Sequence, residues 1–390
     1  MRRARLIVAA AAFLLAGLPW VAASAWAKEW QGDVPGRPAR VRAGARARSR
    51  GAPLVAPAAQ AGQSAWDLVW KSETATQDVS VRGRVRTMVQ IEWRGERAIA
   101  HVLAADGKVR LNYEAGSRRW SLIDDGRNLI RLRPESEQAL VLPRPGFVID
   151  KALAERNYVA RVSGAAEAVG RPVRIVEIAP RSGGPPVWRL WLDRETCFAL
   201  KREGYSAEDE LATATEYVAV EFGVAVPPGA FSIPAGWARI EADGGGMRLE
   251  PEALSAGVGF AVRLPRYLPP GYVLQGGYLR QERPHGHARG EARGRPGRPP
   301  VAELRYTDGI RVLSVFQRQR TEEEAQHGER RGKGGPWRHR HGREAPKSRE
   351  RMVVNRGNEK VVRYLGAERV VIVAGDLTED ELTRVAKSIE

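Results

Sequence analysis

The sequence predicts an α+β protein: a curved antiparallel sheet, partly closed into a half-barrel with covering helices, followed by a smaller α+β domain. Three observations predict it. Apolar and polar residues alternate in segment after segment between residues 79 and 220, the period of a half-buried strand. Turn formers such as Gly95, Asp106-Gly107 and Asp124-Asp125-Gly126 separate these segments at hairpin spacing. Only two or three helical stretches interrupt them, enough to cover one side of a sheet but not to build a core of their own.

The elements follow in chain order. Arg2, Arg3 and Arg5 precede an apolar run from Leu6 to Leu18, and Ala25-Trp26-Ala27 is a small-x-small pattern. Residues 1–27 are therefore expected to be a cleavable signal peptide, with Pro19 ending the apolar helix just before cleavage. The expected location is the periplasm, as an exported, soluble protein. Cys197 is the single cysteine, which excludes an internal disulfide framework and leaves none for lipidation after Ala27.

Residues 28–61 hold seven basic and two acidic side chains, with almost no large apolar residue between Trp30 and Trp66. They are expected to be a disordered basic linker, because such composition buries too little surface to offset chain entropy. The same reasoning covers the Arg/His/Gly-rich inserts 283–300 and 321–350. Together with the signal peptide, these segments carry most of the +17 formal charge. That charge is thus not the mark of a nucleic-acid-binding fold.

The first folded region spans 62–240. An amphipathic helix, Gln63 to Thr76, opens it with Trp66, Leu68, Val69 and Trp70 as apolar positions. Val79 to Trp93 then alternates, placing Val81, Gly83, Val85, Thr87, Val89 and Ile91 on one face. Strands are expected at 98–103, 109–114, 119–123, 128–132 and 139–142, then a helix from Phe147 to Asn157. Further strands follow at 158–163, 171–179, 187–193, 199–205 and 212–220. Residues 241–259 are read as a linker, and 260–390 as the smaller C-terminal domain. Its last element is a helix from Glu379 to Ile389, because Thr378 and Glu381 have capping-box spacing. Leu382, Val385, Ala386 and Ile389 fall on its buried face.

Several of these segments resemble a known family. Gly170-Arg171-Pro172-Val173, Ile175 to Ile178, Trp188 to Thr196, Phe222, Pro227 and Phe231-Ser232-Ile233-Pro234 resemble the closing half of the lipoprotein-carrier (LolA/LolB-like) sheet. The version they most resemble is that of the MucB/RseB family of periplasmic sigma-factor regulators. In the second region, Leu264 to Tyr272, Tyr306 to Phe316 and Val370 to Leu377 resemble that family's small C-terminal domain, in the same order.

The resemblance implies a non-enzymatic envelope-stress regulator. Such a protein binds the extracytoplasmic segment of a membrane-anchored anti-sigma factor and senses an acylated envelope ligand, a lipid or lipoprotein. One alternative is a lipid or lipoprotein carrier of the LolA type, against which the C-terminal domain argues. A second is an electrostatic cell-envelope binding protein acting through the basic arms. Export makes nucleic acid an unexpected partner, and the oligomeric state is left open.

Chemistry-bearing patterns are few. The chain holds no Walker, G-x-G-x-x-G, H-E-x-x-H or G-x-S-x-G motif, so no catalytic residue and no cofactor is expected. The pairs His285/His287 and His339/His341 have metal-ligand spacing, but neighbouring arginines repel a cation and no metal is expected. His101 reads as a core or sheet-face histidine, and Cys197 as a small buried hydrophobe. Aromatic residues are more informative. Trp93, Tyr113, Trp120, Trp191 and Phe222 are the candidate lining of an acyl-chain pocket, with plain core packing as the competing reading. Trp188 and Trp191 are three positions apart and are expected on opposite faces.

Overall fold

A computed structural model describes residues 64–91, 94–115, 118–144, 150–241, 247–280, 300–320, 351–356, 359–366 and 368–389. The expected signal peptide 1–27, the linker 28–61, Trp93 and the inserts 283–300 (apart from Pro300) and 321–350 lie outside these residues. The chain divides into two compact units: described residues of 1–148 with 155–244, and of 149–154 with 245–390. Among the described residues no helix is long and apolar enough to cross a membrane.

The first unit opens with helix α1, Ala65–Asp78. It begins two residues after the expected start at Gln63, because Ser64 caps it: the Ser64 hydroxyl accepts from Asp67 N, and the Asp67 carboxylate accepts from Ser64 N. A meander follows: β1 Val81–Ile91, β2 Arg94–Ala105, β3 Lys108–Ala115, β4 Arg118–Asp124, β5 Asn128–Arg133 and β6 Gln138–Pro143. The short helix α2, Lys151–Asn157, whose first four residues count with the second unit, leads into β7 Tyr158–Ala168, β8 Arg171–Pro180, β9 Trp188–Asp193, β10 Ala199–Tyr205 and β11 Leu211–Phe222. Finally β12, Ala238–Glu241, returns to the sheet.

These strands form one open twelve-stranded sheet in the order β12-β6-β5-β4-β3-β2-β1-β11-β10-β9-β8-β7. The two meanders, β1–β6 and β7–β11, join where β1 pairs with β11. Every pairing is antiparallel except one. β12 lies parallel to β6, a strand that the alternation pattern could not reveal because all four of its residues are exposed.

Alternation in β1 sorts the sheet into two faces. Val81, Val85 and Thr87 are buried, while Arg82 and Arg86 project from the other side. Cross-strand pairing carries the first face outward: Val85 opposes Ala100, Ala100 opposes Tyr113, and Tyr113 opposes Trp120. The principal core forms there, from Val81, Val85, Val102, Leu111, Leu122, Leu129, Leu142 and their neighbours, and Ala75 of α1 packs into it. Glu73 of α1 pairs with Arg202 of β10 at 2.5 Å. On the other face of β4–β6, Ile123, Ile130, Leu132, Ala139 and Val141 are covered by Phe231, Ile233 and Trp237. This covering segment brings the chain to the β6 edge, where β12 docks.

The second unit contains β13 Met247–Leu249, helix α3 Pro251–Val258, β14 Val273–Arg280, β15 Val301–Thr307 and β16 Val312–Gln319. It continues with β17 Arg351–Arg356, β18 Glu359–Leu365, β19 Arg369–Gly375 and helix α4 Glu379–Lys387. Its seven-stranded antiparallel sheet runs β13-β14-β15-β16-β19-β18-β17. Residues 247–258, read from sequence as linker, are thus a strand and a helix of this unit. Pro251 starts α3 and Gly259, at φ +75°, ends it, the usual asymmetry of a short helix. Both helices pack on one core with Leu304, Leu313, Val315, Val362, Val371 and Val373. The Thr378–Glu381 capping box forms, and Leu382, Val385, Ala386 and Ile389 are all buried.

Candidate functional site

The first unit's principal face carries most of the aromatic residues singled out in the sequence. Tyr113 and Trp120 are direct partners across β3 and β4, and their rings stack with centroids 4.4 Å apart and planes 13° apart. The Arg131 guanidinium lies 5.4 Å from the Trp120 ring. Phe222, opposite Val81, meets Phe198 edge-on at 5.7 Å, and Phe198 meets Tyr217 at 5.3 Å. Trp120, Trp191 and Phe222 are partly buried against the core that contains Tyr113. Trp93 lies outside the described residues.

Trp191 differs from the others in its polar neighbour. It opposes Lys201, whose ammonium sits 4.2 Å from the ring. Trp188 instead opposes Gly204, where an added Cβ would fall 2.5 Å from Thr213 Oγ1 and 3.0 Å from the Trp188 ring. Lys201 and Gly204 are themselves three apart on β10. The two tryptophans therefore leave β9 on opposite sides, as their spacing predicts.

The principal face also carries hydroxyls that the sequence reading did not single out as a site. Thr87 and Thr215 are direct cross-strand partners, Thr213 lies two residues along β11, and Tyr113 stands two strands away beyond Ala98 and Ala100. All four are buried, at 1–4% exposure, and none of their hydroxyls has a hydrogen-bond partner among the described residues. Burial also pushes the Tyr113 hydroxyl well above the usual tyrosine range. A buried hydroxyl left unpaired costs about 1–3 kcal/mol. Four on one face mark it as a surface whose polar capacity is not spent within the fold. The signal was present in the sequence: threonines at 213 and 215 share the apolar phase of their strand.

The opposite face is charged along β7–β10. Glu177 accepts from Arg161 at 3.0 Å and from Arg189 at 2.7 Å. Arg189 also donates to the Tyr205 hydroxyl, which donates to Glu203, and Lys201 completes the row at 2.8 Å from Glu203. Burial pushes the Glu177 carboxyl up, but the bonds from Arg189 and Arg161 outweigh it and hold the group below the usual carboxylate range.

A cleft of about 350 Å³ lies elsewhere on that opposite face, lined by Leu103, Arg110, Asn112 and the segment Pro227-Pro228-Gly229-Ala230. Tyr113, Trp120, Trp191 and Phe222 do not line it. His101 is an exposed sheet-face residue, and Cys197 is buried in the turn between β9 and β10 at φ +59°. No group of three potential metal ligands occurs among the described residues. The His-x-His pairs lie outside them.

No protein-family model and no curated protein matches the chain. Solved structures do. The complex of Pseudomonas aeruginosa MucA/MucB matches with a TM-score of 0.55 and 21% identity over 84% of this chain and 98% of that one. A structure of MucB in complex with MucA(peri) matches with a TM-score of 0.53 and 20% identity, again over 84% and 98%. At this identity the likeness is one of fold, and it extends over both units.

Proposed function

We propose, from the fold shared with MucB, that this chain is an envelope regulator. It holds the extracytoplasmic segment of a membrane-anchored anti-sigma factor and releases it when an acylated ligand binds. The observation that carries this reading is the match over 84% of the chain to MucB structures that contain MucA. In this reading the twelve-stranded sheet is a LolA-like half-barrel, residues 260–390 with α3 form the smaller C-terminal domain, and residues 1–27 direct export to the periplasm.

The principal face of the first unit has the chemistry for the acylated ligand. Val81, Val85, Val102, Leu111 and Leu122 offer an apolar strip, and Tyr113, Trp120 and Phe222 offer flat rings. The unpaired hydroxyls of Thr87, Thr213, Thr215 and Tyr113 suit the neutral ester or amide at the base of an acyl chain. Entry of a chain requires the packed core to open, so the ligand-bound and ligand-free states differ. That difference is what couples two ligands: if the anti-sigma segment prefers one state and the acyl ligand the other, each weakens the other by the same factor.

The test is retention of partners from envelope extract on the immobilised chain lacking residues 1–61. Recovery of a membrane-anchored anti-sigma factor supports the reading. Acyl lipids or lipoproteins recovered without it would replace the regulator with a carrier.

A further inference from the structure

The cleft on the opposite face of the sheet has polar equipment of one kind only. Asn112 Oδ1 accepts from Arg110 Nε at 3.0 Å and from Ser121 Oγ at 2.7 Å, so both of its lone pairs are occupied. Arg110 Nη1 donates to Ala230 O at 2.9 Å, fixing the guanidinium against the Pro227–Ala230 wall. What these bonds leave unspent on the two lining side chains is donors: Arg110 Nη2, the second proton on Nη1, and the Asn112 amide. Around them Leu103, Pro227, Pro228 and Ala230 are apolar.

Arg110 is half-buried and pairs with no carboxylate among the described residues. Other half-buried arginines of the first unit do find acids: Arg171 has Asp193, Arg189 has Glu177, and Arg202 has Glu73. From this contrast we infer that the cleft is a docking subsite for a peptide carboxylate flanked by an apolar residue, supplied by an acidic partner segment.

Three features select that class. Donors without free acceptors match a group that only accepts, and a guanidinium offers a carboxylate two parallel bonds. One cation balances one negative charge, which disfavours a phosphate dianion. The apolar wall leaves room for a side chain beside the charge. Burial lowers the arginine's pKa, the sign of a cation that lost water without gaining a counter-ion. The subsite does not rest on the acyl-ligand reading, because Leu103, Arg110 and Asn112 alternate out of phase with Val102, Val109 and Leu111 of the principal face.

The experiment uses the chain lacking residues 1–61, observed by amide and side-chain NMR during titration. The probes are N-acetyl-leucine, its carboxamide, N-acetyl-glutamate N-methylamide and methyl phosphate. The inference expects saturable shifts at Arg110 Nε and the Asn112 amide with one or both carboxylates, and none with the carboxamide. The free acid and the glutamate derivative separate a chain terminus from an acidic side chain. Asn112→Asp keeps the acceptor for Arg110 and Ser121 but places a carboxylate in the cleft, and it should weaken binding at least tenfold. Arg110→Gln should abolish it. Equal shifts with the carboxamide, tighter binding of methyl phosphate, no saturable shift with either carboxylate, or unchanged binding in Asn112→Asp would each overturn the inference.

Discussion

Half-buried Arg171 on β8 and buried Asp193 at the end of β9 form an ion pair that ties three strands together. Arg171 Nε donates to Asp193 Oδ2 at 2.6 Å, while the guanidinium carbon lies 4.7 Å from the Phe222 ring on β11. The other carboxylate oxygen, Oδ1, accepts from Thr196 N and Oγ1, both at 2.9 Å, closing the turn into β10. Asp193 is 1% exposed, so its charge relies on these partners. Asp193→Ala should cost about 1–3 kcal/mol, the range for leaving donors without their buried acceptor, because Arg171 is only half-buried and keeps Glu195 at 2.8 Å. Urea unfolding followed by tryptophan fluorescence measures it, and a loss below about 1 kcal/mol would contradict the assigned role. Arg171→Lys keeps the charge but loses the fork and the ring contact, and should lie between the two proteins.

Acid stability should follow the same groups. Burial alone would raise the carboxyl pKa of Asp193 and of Glu303, but Arg171 and Thr196 outweigh it at Asp193, and Arg280 and Arg305 at Glu303. Both folded-state values are therefore depressed. Such groups contribute stability that is complete above their unfolded pKa, about 4, and that is lost as pH falls through the folded value. Glu303→Gln should destabilise the second unit at pH 7, and the gap to the parent protein should narrow steadily below about pH 4. Hydrogen exchange of β15 amides across that pH range reports it. A gap independent of pH would refute the assignment.

The hydroxyl group of threonines makes an opposite prediction for stability and binding. Thr87→Val and Thr215→Val replace unpaired buried hydroxyls with a methyl of similar shape. Each should stabilise the ligand-free protein by about 1 kcal/mol. The double variant should bind a diacylated lipopeptide at least tenfold more weakly, read by fluorescence titration. Stabilisation without any loss of lipopeptide binding would remove these hydroxyls from the ligand site.

Gly83 holds two strands at a distance no side chain tolerates. A Cβ on Gly83 would lie 2.6 Å from Ala219 O and 2.8 Å from the Tyr217 ring, beside the irregularity where β1 meets β11. Gly83→Ala should cost about 1–3 kcal/mol through overpacking. Gly170→Ala is a useful contrast, since a Cβ there meets nothing within 4 Å and only its φ of +73° opposes the change. Equal thermal shifts for the two would show that contact at Gly83 is not limiting.

What the sequence made legible was periodic. Val81, Val85 and Thr87 announced their face by alternation, and Thr378 with Glu381 announced α4 by capping chemistry, because both signals are local. The parallel docking of Ala238–Glu241 on β6 was hidden, since no apolar period marks a strand held by backbone pairing alone. Helix α3 was concealed by its length: eight residues in a Gly-rich stretch, with only Pro251 and Gly259 as punctuation. Tyr113, Trp120, Trp191 and Phe222 were found as aromatics in strands, and they pack against one core. The inward phase of Thr213 and Thr215 was legible, but that their hydroxyls lack partners and that Arg110 lacks a counter-ion was not, because the absence of a partner is a fact of three-dimensional neighbours.

Reciprocal coupling between the two proposed ligands is the central claim. The decisive measurement is the dissociation constant of the recovered anti-sigma segment, by fluorescence anisotropy, with and without a saturating diacylated lipopeptide. The account predicts weakening of at least tenfold, about 1.4 kcal/mol, together with equal weakening of lipopeptide binding by the segment. A dissociation constant unchanged by saturating lipopeptide would contradict it.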